Sequence, residues 1–321
     1  MKLEHLAASV LILGVLVVGC GHKMSLPPPP EAAPIPGDVY TWLGEWDGLS
    51  KVSDILLTRH APGASLIAVG DSLKAVAFYP GSVSASKNPK VNPSVDFSSS
   101  GLLSPKLIAE GSNGDIYIYD EGDTTIKKFG RTGGAGTWSF RDTTSWVSVV
   151  GIAVDDSGNV FVADEVRKTV KKYSSSGYDL GIWTDQGLGD GYIGKPSQLY
   201  YDGQGLLIAD KGDGIYPPRV IKIRTDIPRT GTITAVKEAE GKALLDPSDV
   251  YADKVFNIYV ADTGNNRVLK LTPYGVFEKV VNSYIPPTAT AVSNVIAITA
   301  SENRVHMVDK AASRVVIYEY K

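Results

Sequence analysis

Short runs of mostly apolar residues recur along the chain from about residue 50, and turns rich in Asp, Gly and Asn separate them. Two of the clearest pairs of runs are Gly151–Asp155 with Asn159–Asp164, and Pro247–Asp253 with Asn257–Asp262. Each run has five to seven residues, in which Val, Ile, Ala and Tyr are frequent. This pattern predicts β-strands joined by tight hairpins.

The runs form a unit of about 47 residues that appears six times. One aspartate ends the second run of every unit: Asp71, Asp120, Asp164, Asp210, Asp262 and Asp309, at intervals of 49, 44, 46, 52 and 47 residues. Units three and five are the most regular, whereas unit four carries an insertion at 212–218. A repeat of this length indicates units that bury their faces against their neighbours.

The repeats resemble a known family. The segment Asp262-Thr-Gly-Asn-Asn-Arg267, with Val-Ala before it, is similar to the NHL repeat, and the resemblance covers residues 39–321. It implies an all-β fold, a six-bladed β-propeller whose four-stranded units pack around a central channel. Units one and six depart furthest from the pattern. Fourth strands are predicted at 138–140, 180–183 and 276–281.

The last unit lacks a predicted fourth strand, because its third strand runs to residue 320. Residues 39–46, which precede the first unit, resemble the predicted fourth strand at 180–183. We therefore expect 39–46 to pair with 314–320 and to complete the sixth blade. Closing the ring in this way removes open sheet edges.

The first residues resemble a bacterial lipoprotein signal. An apolar run, Leu6–Val18, is too short to span a bilayer and leads to Val17-Val18-Gly19-Cys20, which is similar to the lipobox. The resemblance implies that residues 1–19 are a signal peptide and that Cys20, the single cysteine, is lipidated. The weakly charged start departs from the pattern. The alternative is a buried thiol in a membrane helix.

Residues 20–38 are predicted to be a tether. Pro27–Pro30, Pro34 and Pro36 exclude helix and favour polyproline II, so that the 18 residues after Cys20 reach about 55 Å. By resemblance to enterobacterial sorting, Gly21 favours the outer membrane, with the folded part facing the periplasm or the surface. A lipid anchor would thus make the membrane one partner.

Composition limits the remaining partners. The formal net charge of −3 gives no electrostatic attraction to nucleic acid, so we expect no nucleic-acid partner. A single cysteine excludes an intrachain disulfide. The six repeated aspartates suggest metal binding or acid catalysis at first, but each lies on a different hairpin. We therefore expect them to brace turns, with Arg267 and Arg314 pairing with neighbouring carboxylates.

The central channel is the candidate site. We expect its mouth to be lined by the residue before each first strand: Asp54, Lys106, Gly151, Gln198, Asp249, and either Asn294 or Val295. Asp54, Asp249 and Asn294 come from adjacent units and offer oxygen ligands for Ca²⁺. Six-bladed relatives such as lactonases, gluconolactonases and amidating lyases hold a metal in this region, but with Glu or several His. The alternative is a solvated polar rim.

Other catalytic signals are weak. His60 and His306 are the two histidines after the tether, and neither has a carboxylate or serine at motif spacing. The glycine-rich stretch Gly130–Gly136 is predicted to be a loop between strands. Five tryptophans, Trp42, Trp46, Trp138, Trp146 and Trp183, lie in or near predicted fourth strands. They either pack between blades or form a contact patch for protein or glycan.

These observations favour a non-catalytic module. The interpretation is a membrane-anchored lipoprotein at the bacterial cell envelope, whose propeller binds another protein as a scaffold. Two alternatives stay open. One is a metal-dependent, lactonase-like hydrolase or lyase at the central channel, and the other is a glycan-binding module.

Overall fold

The computed structural model describes residues 39–46, 51–59, 66–70, 74–78, 91–97, 101–187, 189, 191–232, 235–287, 289–301 and 303–321. The predictions for residues 1–38, including Cys20 and the tether, lie outside the described residues, as do His60 and Asp71. The described part of the chain is built of strands, with a single 3-10 turn at Thr263–Asn265. None of its helices is long and apolar enough to cross a bilayer.

Strand β1 (Tyr40–Trp46) opens the described chain, and each repeat then contributes strands in turn. The first strands of the six units are β2 (Val52–Leu57), β6 (Pro105–Glu110), β10 (Val149–Val154), β14 (Pro196–Tyr201), β19 (Pro247–Ala252) and β23 (Val295–Ala300). The second strands are β3 (Leu66–Gly70), β7 (Ile116–Asp120), β11 (Val160–Asp164), β15 (Leu206–Asp210), β20 (Ile258–Asp262) and β24 (Arg304–Asp309).

The outer strands complete the sheets. The third strands are β4 (Lys74–Phe78), β8 (Thr125–Phe129), β12 (Thr169–Tyr173), β16 (Arg219–Ile223), β21 (Arg267–Leu271) and β25 (Arg314–Tyr320). Fourth strands are β5 (Val91–Asp96), β9 (Trp138–Phe140), β13 (Asp179–Thr184) and β22 (Phe277–Val280). The fourth strands expected at 138–140, 180–183 and 276–281 are thus present.

The six sheets form a closed ring. Every first strand contacts the first strand of the next unit, and β23 contacts β2. Within each sheet the strands follow chain order and run antiparallel, except that β1 supplies the outer strand of the last sheet. The all-β propeller predicted from the repeats is therefore confirmed.

Strand β1 completes the sixth blade, as predicted. It pairs antiparallel with β25, from Tyr40 opposite Tyr320 to Trp46 opposite Val315. An ion pair between Glu45 and Arg314 adds a side-chain link between the same two strands. The two ends of the described chain therefore hold one sheet together.

The fourth unit has three strands, where the repeat pattern predicts four. After β16, Pro228 and a positive φ of 53° at Arg229 bend the chain, and two isolated bridges follow, Val220 with Val236 and Ile223 with Gly231. A small hairpin of β17 (Glu238–Ala239) and β18 (Lys242–Ala243) then leads to the next blade. Proline removes a ladder donor, which explains the irregular outer edge of this unit.

The repeated aspartates brace turns, as expected from their separation. Asp164 accepts hydrogen bonds from the amides of Val147 and Ser148, which precede β10, and from those of Val166 and Arg167. Asp120 and Asp210 bind the equivalent amides in their own units. The pairings predicted for Arg267 with Asp262 and Arg314 with Asp309 are present, at 2.7 and 3.0 Å.

Replacing Asp164 with alanine is expected to lower the free energy of unfolding by about 2–4 kcal/mol. Four amides lose their acceptor, and the link between the segment before β10 and the turn after β11 is lost. Chemical denaturation of the wild type and of Asp164→Ala measures the effect. Asp226→Ala is the control, since Asp226 is exposed and pairs only locally with Arg224 in this part of the fold. Equal stability of the two variants would show that the repeated aspartates do not brace the blades.

The described tryptophans pack inside and between blades. Trp146 contacts Tyr119 of the second blade and Tyr173 of the third, both edge to face. Trp183 packs edge to face on Phe161, and Trp46 is fully buried. This supports interblade packing over the alternative of an exposed tryptophan patch.

Candidate binding site in the central channel

A β-bulge near the start of each first strand decides which residues line the channel. In every unit the pairing with the second strand shifts after the first residue, so the second residue is left out of the ladder and the third is paired. The third residues are equivalent in this register: Asp54, Leu107, Gly151, Gln198, Asp249 and Ala297.

Three of the predicted channel residues meet inside the ring, and we call Asp54, Gln198 and Asp249 the neck. Asp54 lies in the first blade and Gln198 in the fourth, yet Gln198 Nε2 donates to Asp54 Oδ2 at 3.2 Å. All three side chains are buried. The contact between the first and fourth of six blades means that these side chains cross the channel.

The neck also ties neighbouring blades together. Asp54 Oδ2 accepts from the amide of Ile108 in the second blade, and Asp249 Oδ2 accepts from the amide of Ile298 in the sixth. In both residues the other carboxylate oxygen accepts from the next amide along its own strand. The carboxylates therefore have a structural role in joining first strands.

Gly151 makes room for the neck. A Cβ at this position would lie 2.8 Å from Gln198 Oε1 and 2.8 Å from the amide nitrogen of Leu199. Any side chain here would therefore displace Gln198. A glycine in the third blade is what allows the amide to reach Asp54.

The structure does not bring Lys106 and Asn294 into the neck. Lys106 is the second residue of its strand, outside the ladder, and its Nζ pairs with Glu121 at 2.6 Å. Asn294 precedes β23, and Ala297 holds the equivalent position three residues later. The Ca²⁺ ligand set of Asp54, Asp249 and Asn294 stays a prediction, since Asn294 does not hold the position in the register that Asp54 and Asp249 share. In the described part of the chain, no group of three His, Cys, Asp or Glu is placed to hold a metal.

Burial controls the ionisation of the neck. It raises the pKa of Asp54 to about 7, although three hydrogen bonds to its oxygens oppose the rise. The pKa of Asp249 is also raised well above its usual range, first by burial and then by the negative charge of Asp54. At least one of the two carboxyl groups is therefore protonated below neutral pH.

The neck predicts a pH dependence of stability. Between pH 4 and 7 the unfolded chain ionises both carboxyl groups while the folded chain keeps a proton on at least one of them, so stability falls as pH rises through this window. Relative to Asp54→Asn/Asp249→Asn, the melting temperature of the wild type is expected to drop by about 5 °C or more from pH 4.5 to 7.5.

The comparison with the double variant matters because His306 titrates in the same window with the opposite sign. Burial lowers the pKa of His306 to about 4, so its contribution to stability grows as pH rises from 4 to 6.5. This contribution cancels in the difference between the two proteins. Parallel melting profiles would contradict the protonated neck.

A cavity of about 350 Å³ opens where the first strands end, and we call it the funnel. Its apolar walls come from four of the first strands, and its polar groups come from the ends of first strands and from the loops that follow them. The apolar residues include Leu56, Ile108, Ile152, Ala153 and Leu199; the polar ones include Arg59, Glu110, Asp156, Tyr200, Asp202 and Lys254. A pocket of this size and composition suits a small ligand or the end of a chain.

Arg59 is the central polar group of the funnel. Its guanidinium carbon lies 4.8 Å from the ring centre of Tyr200 and 5.6 Å from that of Tyr251, and the two rings are 4.3 Å apart. One guanidinium nitrogen donates to the carbonyl of Ala252. Because Arg59 belongs to the first blade and its partners to the fourth and fifth, the side chain lies across the channel mouth.

The acidic residues of the funnel already have donors. Glu110 accepts from the amide of Arg59 at 2.6 Å, Asp156 accepts from the hydroxyl of Tyr201, and Asp202 pairs with buried Lys222 at 2.7 Å. Arg59 Nε, by contrast, is buried without a hydrogen-bond partner in the part of the chain that the structure describes. Asp202 Oδ2 also lacks a hydrogen bond of good geometry, but the Lys222 ammonium lies 2.7 Å from it and balances its charge, whereas Arg59 Nε is an unpaired, positively charged donor.

The funnel is the part of the site that sequence reasoning missed. The prediction concerned the beginnings of the first strands, whereas the funnel lies at their ends. The available signal was the change from apolar to polar residues at Thr58–Arg59 and Tyr200–Asp202. His306, by contrast, lies in β24 as predicted and is buried away from the funnel lining.

The fold is shared with solved structures. The chain matches a streptogramin B lyase structure with a TM-score of 0.54 and 15% identity, over 86% of each chain. It also matches a catalytically inactive histidine-to-alanine variant of virginiamycin B lyase from Staphylococcus aureus with quinupristin, with a TM-score of 0.51 and 13% identity, over 83% of this chain and 80% of that one.

A third similar structure is a nidogen/laminin complex, with a TM-score of 0.53 and 18% identity, over 71% of this chain and 79% of that one. At these identities the likeness concerns the propeller fold. No family model and no curated protein matches the chain.

Proposed function

We propose that this protein is a bacterial envelope lipoprotein that uses its propeller as a non-catalytic binding module, with its ligand held in the funnel. The observation that carries the proposal is the funnel itself, a cavity with apolar walls and an incompletely paired Arg59 at its mouth. The neck beyond it is filled by side chains that hydrogen-bond to one another and to backbone amides. The arrangement offers binding contacts and a rigid frame.

The cellular location of the protein is part of the proposal. Cys20 would carry the lipid, residues 20–38 would form the tether, and the outer membrane is the favoured location. The NHL-type repeat belongs to the same proposal. A propeller in the nidogen/laminin complex gives a precedent for protein partners on this fold, so we favour another protein, or a product of the envelope, as the source of the ligand.

Site-specific photo-crosslinking tests the binding function. A photoreactive amino acid at position 254, which lines the funnel and is exposed, is compared with one at position 166, an exposed residue between β11 and β12. Full-length protein in its own host's membranes is expected to give a discrete adduct from position 254 and none of that mass from 166. Identical adducts from both positions, or none from either, would overturn the proposal.

The second candidate function is a lyase or hydrolase at the funnel, and the similar lyase structures favour it. Its difficulty is chemical. The inactive lyase variant lost a histidine. His306 of this chain is buried in β24, His60 lies outside the described residues, and within those residues no group of three His, Cys, Asp or Glu is placed to hold a metal. Mass spectrometry of the molecule captured in the funnel separates the candidates, since a binding module returns it unchanged and a lyase returns products.

A further inference from the structure

We propose that the funnel selects ligands that carry a carboxylate on an apolar body, and that Arg59 binds the carboxylate. The inference rests on the proposed binding function and adds the chemical class of the ligand. It depends on three features of the described residues, namely the unpaired Nε of Arg59, the paired state of the acidic groups, and the apolar walls.

The first feature is the position of the guanidinium. Stacking on Tyr200 and Tyr251, together with the bond to the Ala252 carbonyl, fixes its plane. The unpaired donor is Nε, and Nη2 beside it donates one of its two hydrogens to Ala252, so that Nε–H and the second Nη2 hydrogen are the pair that a carboxylate would bind through two parallel hydrogen bonds. Because Arg59 Nε is buried without a partner, such a ligand would satisfy a group that is costly to leave unpaired.

The second feature is the local charge balance. Glu110, Asp156, Asp202 and Asp253 lie in the funnel lining, and each already has a partner. The partners are the Arg59 amide for Glu110, the Tyr201 hydroxyl for Asp156, the Lys222 ammonium for Asp202, and the amides of Val255 and Asn257 for Asp253. Lys254 adds a second positive charge to the lining. An anionic ligand therefore finds an unsatisfied cation, whereas a cationic ligand would compete with donors that are already in place.

The third feature is the wall behind the arginine. Leu56, Ile152 and Leu199 form part of an apolar surface beside Arg59. A bare inorganic anion would leave this surface without contacts, whereas a ligand with an alkyl body would bury it. The shared chemistry therefore points to the C-terminal end of an apolar peptide or to an aliphatic acid.

Calorimetric titration of the full-length protein in detergent tests the inference. The probes are N-acetyl-leucine for a peptide end, hexanoate for an aliphatic acid, and N-acetyl-leucinamide as the uncharged match of the first. At least one of the two acids is expected to bind at least about tenfold more tightly than the amide. Equal affinity of acid and amide, or no binding of either acid, would overturn the inference.

Substitution of Arg59 provides a second test of the inference. Arg59→Gln is expected to weaken binding of the acid about ten- to a hundredfold, with a smaller loss for Arg59→Lys, which keeps the charge but not the planar fork. Arg167→Gln is the matched control, because the Arg167 guanidinium also donates to a backbone carbonyl, but outside the funnel. Wild-type affinity in Arg59→Gln would contradict the assignment.

The comparison of acid with amide on the wild type needs no variant, so it decides the matter even if Arg59→Gln does not fold. The two proposals also fail separately. Crosslinking from position 254 reports a ligand of any chemistry. If crosslinks form while neither acid binds, the carboxylate inference falls and the binding function stands. If neither experiment is positive, both fall.

Discussion

Replacing Cys20 with alanine is expected to abolish acylation of the protein completely. Cys20 is the single cysteine, and the apolar run before it is too short to span a bilayer. Only a thiol at this position provides the attachment point that the lipobox resemblance implies. Growth with an alkyne-tagged palmitate followed by fluorescent detection is expected to label the wild type and leave Cys20→Ala unlabelled.

The mass of the N-terminal peptide provides the matching measurement. The wild type is expected to begin at Cys20 and to carry two or three acyl chains, which is enough for stable anchoring. Ser25→Ala, a few residues into the tether, is the control and should be labelled normally. Label that persists in Cys20→Ala, or an unmodified wild-type peptide, would contradict the lipoprotein assignment.

Replacing Trp46 with alanine is expected to destabilise the propeller by about 3–5 kcal/mol. Trp46 is the last residue of β1 and fully buried, and it belongs to the apolar cluster that includes Leu57 of the first blade and Val308 of the sixth. Its loss leaves a cavity at the seam where the ring closes. Equilibrium denaturation measures the change.

Trp42→Ala is the matched control in the same strand. Trp42 is half-buried beside another cluster, so its loss is expected to cost clearly less. The difference between the two variants isolates the closing seam from the general effect of removing a tryptophan. If Trp46→Ala is no less stable than Trp42→Ala, β1 does not serve as the closing strand.

The propeller fold could be predicted from the sequence because its structural units repeat along the chain. Each repeat shows its own strands, and four of the six repeated aspartates, Asp120, Asp164, Asp210 and Asp262, bind amides of their own loops, which explains why their spacing is kept. Pairing of 39–46 with 314–320 followed from the missing fourth strand of the last repeat. The irregular edge of the fourth blade did not follow, since it depends on a local bend at Pro228 and Arg229.

Some of the residues predicted to line the channel lie in the neck and others do not, because a β-bulge sets the register at the start of each first strand. Alternation along a strand cannot reveal a β-bulge, and the bulge decides whether the second or the third residue faces the channel. Asp54, Gln198 and Asp249 are third residues and form the neck, whereas Lys106 is a second residue and pairs with Glu121. Asn294 precedes β23, in a loop whose sequence gives no register, so its place relative to the neck stays a prediction.

The funnel could not have been predicted from one sequence because its parts come from distant repeats. Arg59 is more than 140 residues from Tyr200 and about 190 from Tyr251, and only ring closure places them together. A single arginine at the end of a strand carries no motif. Its significance appears once the stacking and the unpaired Nε are known.

A crystal structure of the full-length protein, grown with whichever of N-acetyl-leucine and hexanoate binds more tightly, would show where the ligand lies. We expect the molecule to lie in the funnel, with its carboxylate within hydrogen-bond distance of the Arg59 guanidinium and its alkyl group beside Leu56 and Leu199. A ligand bound elsewhere on the propeller, with the funnel holding only water, would contradict this expectation.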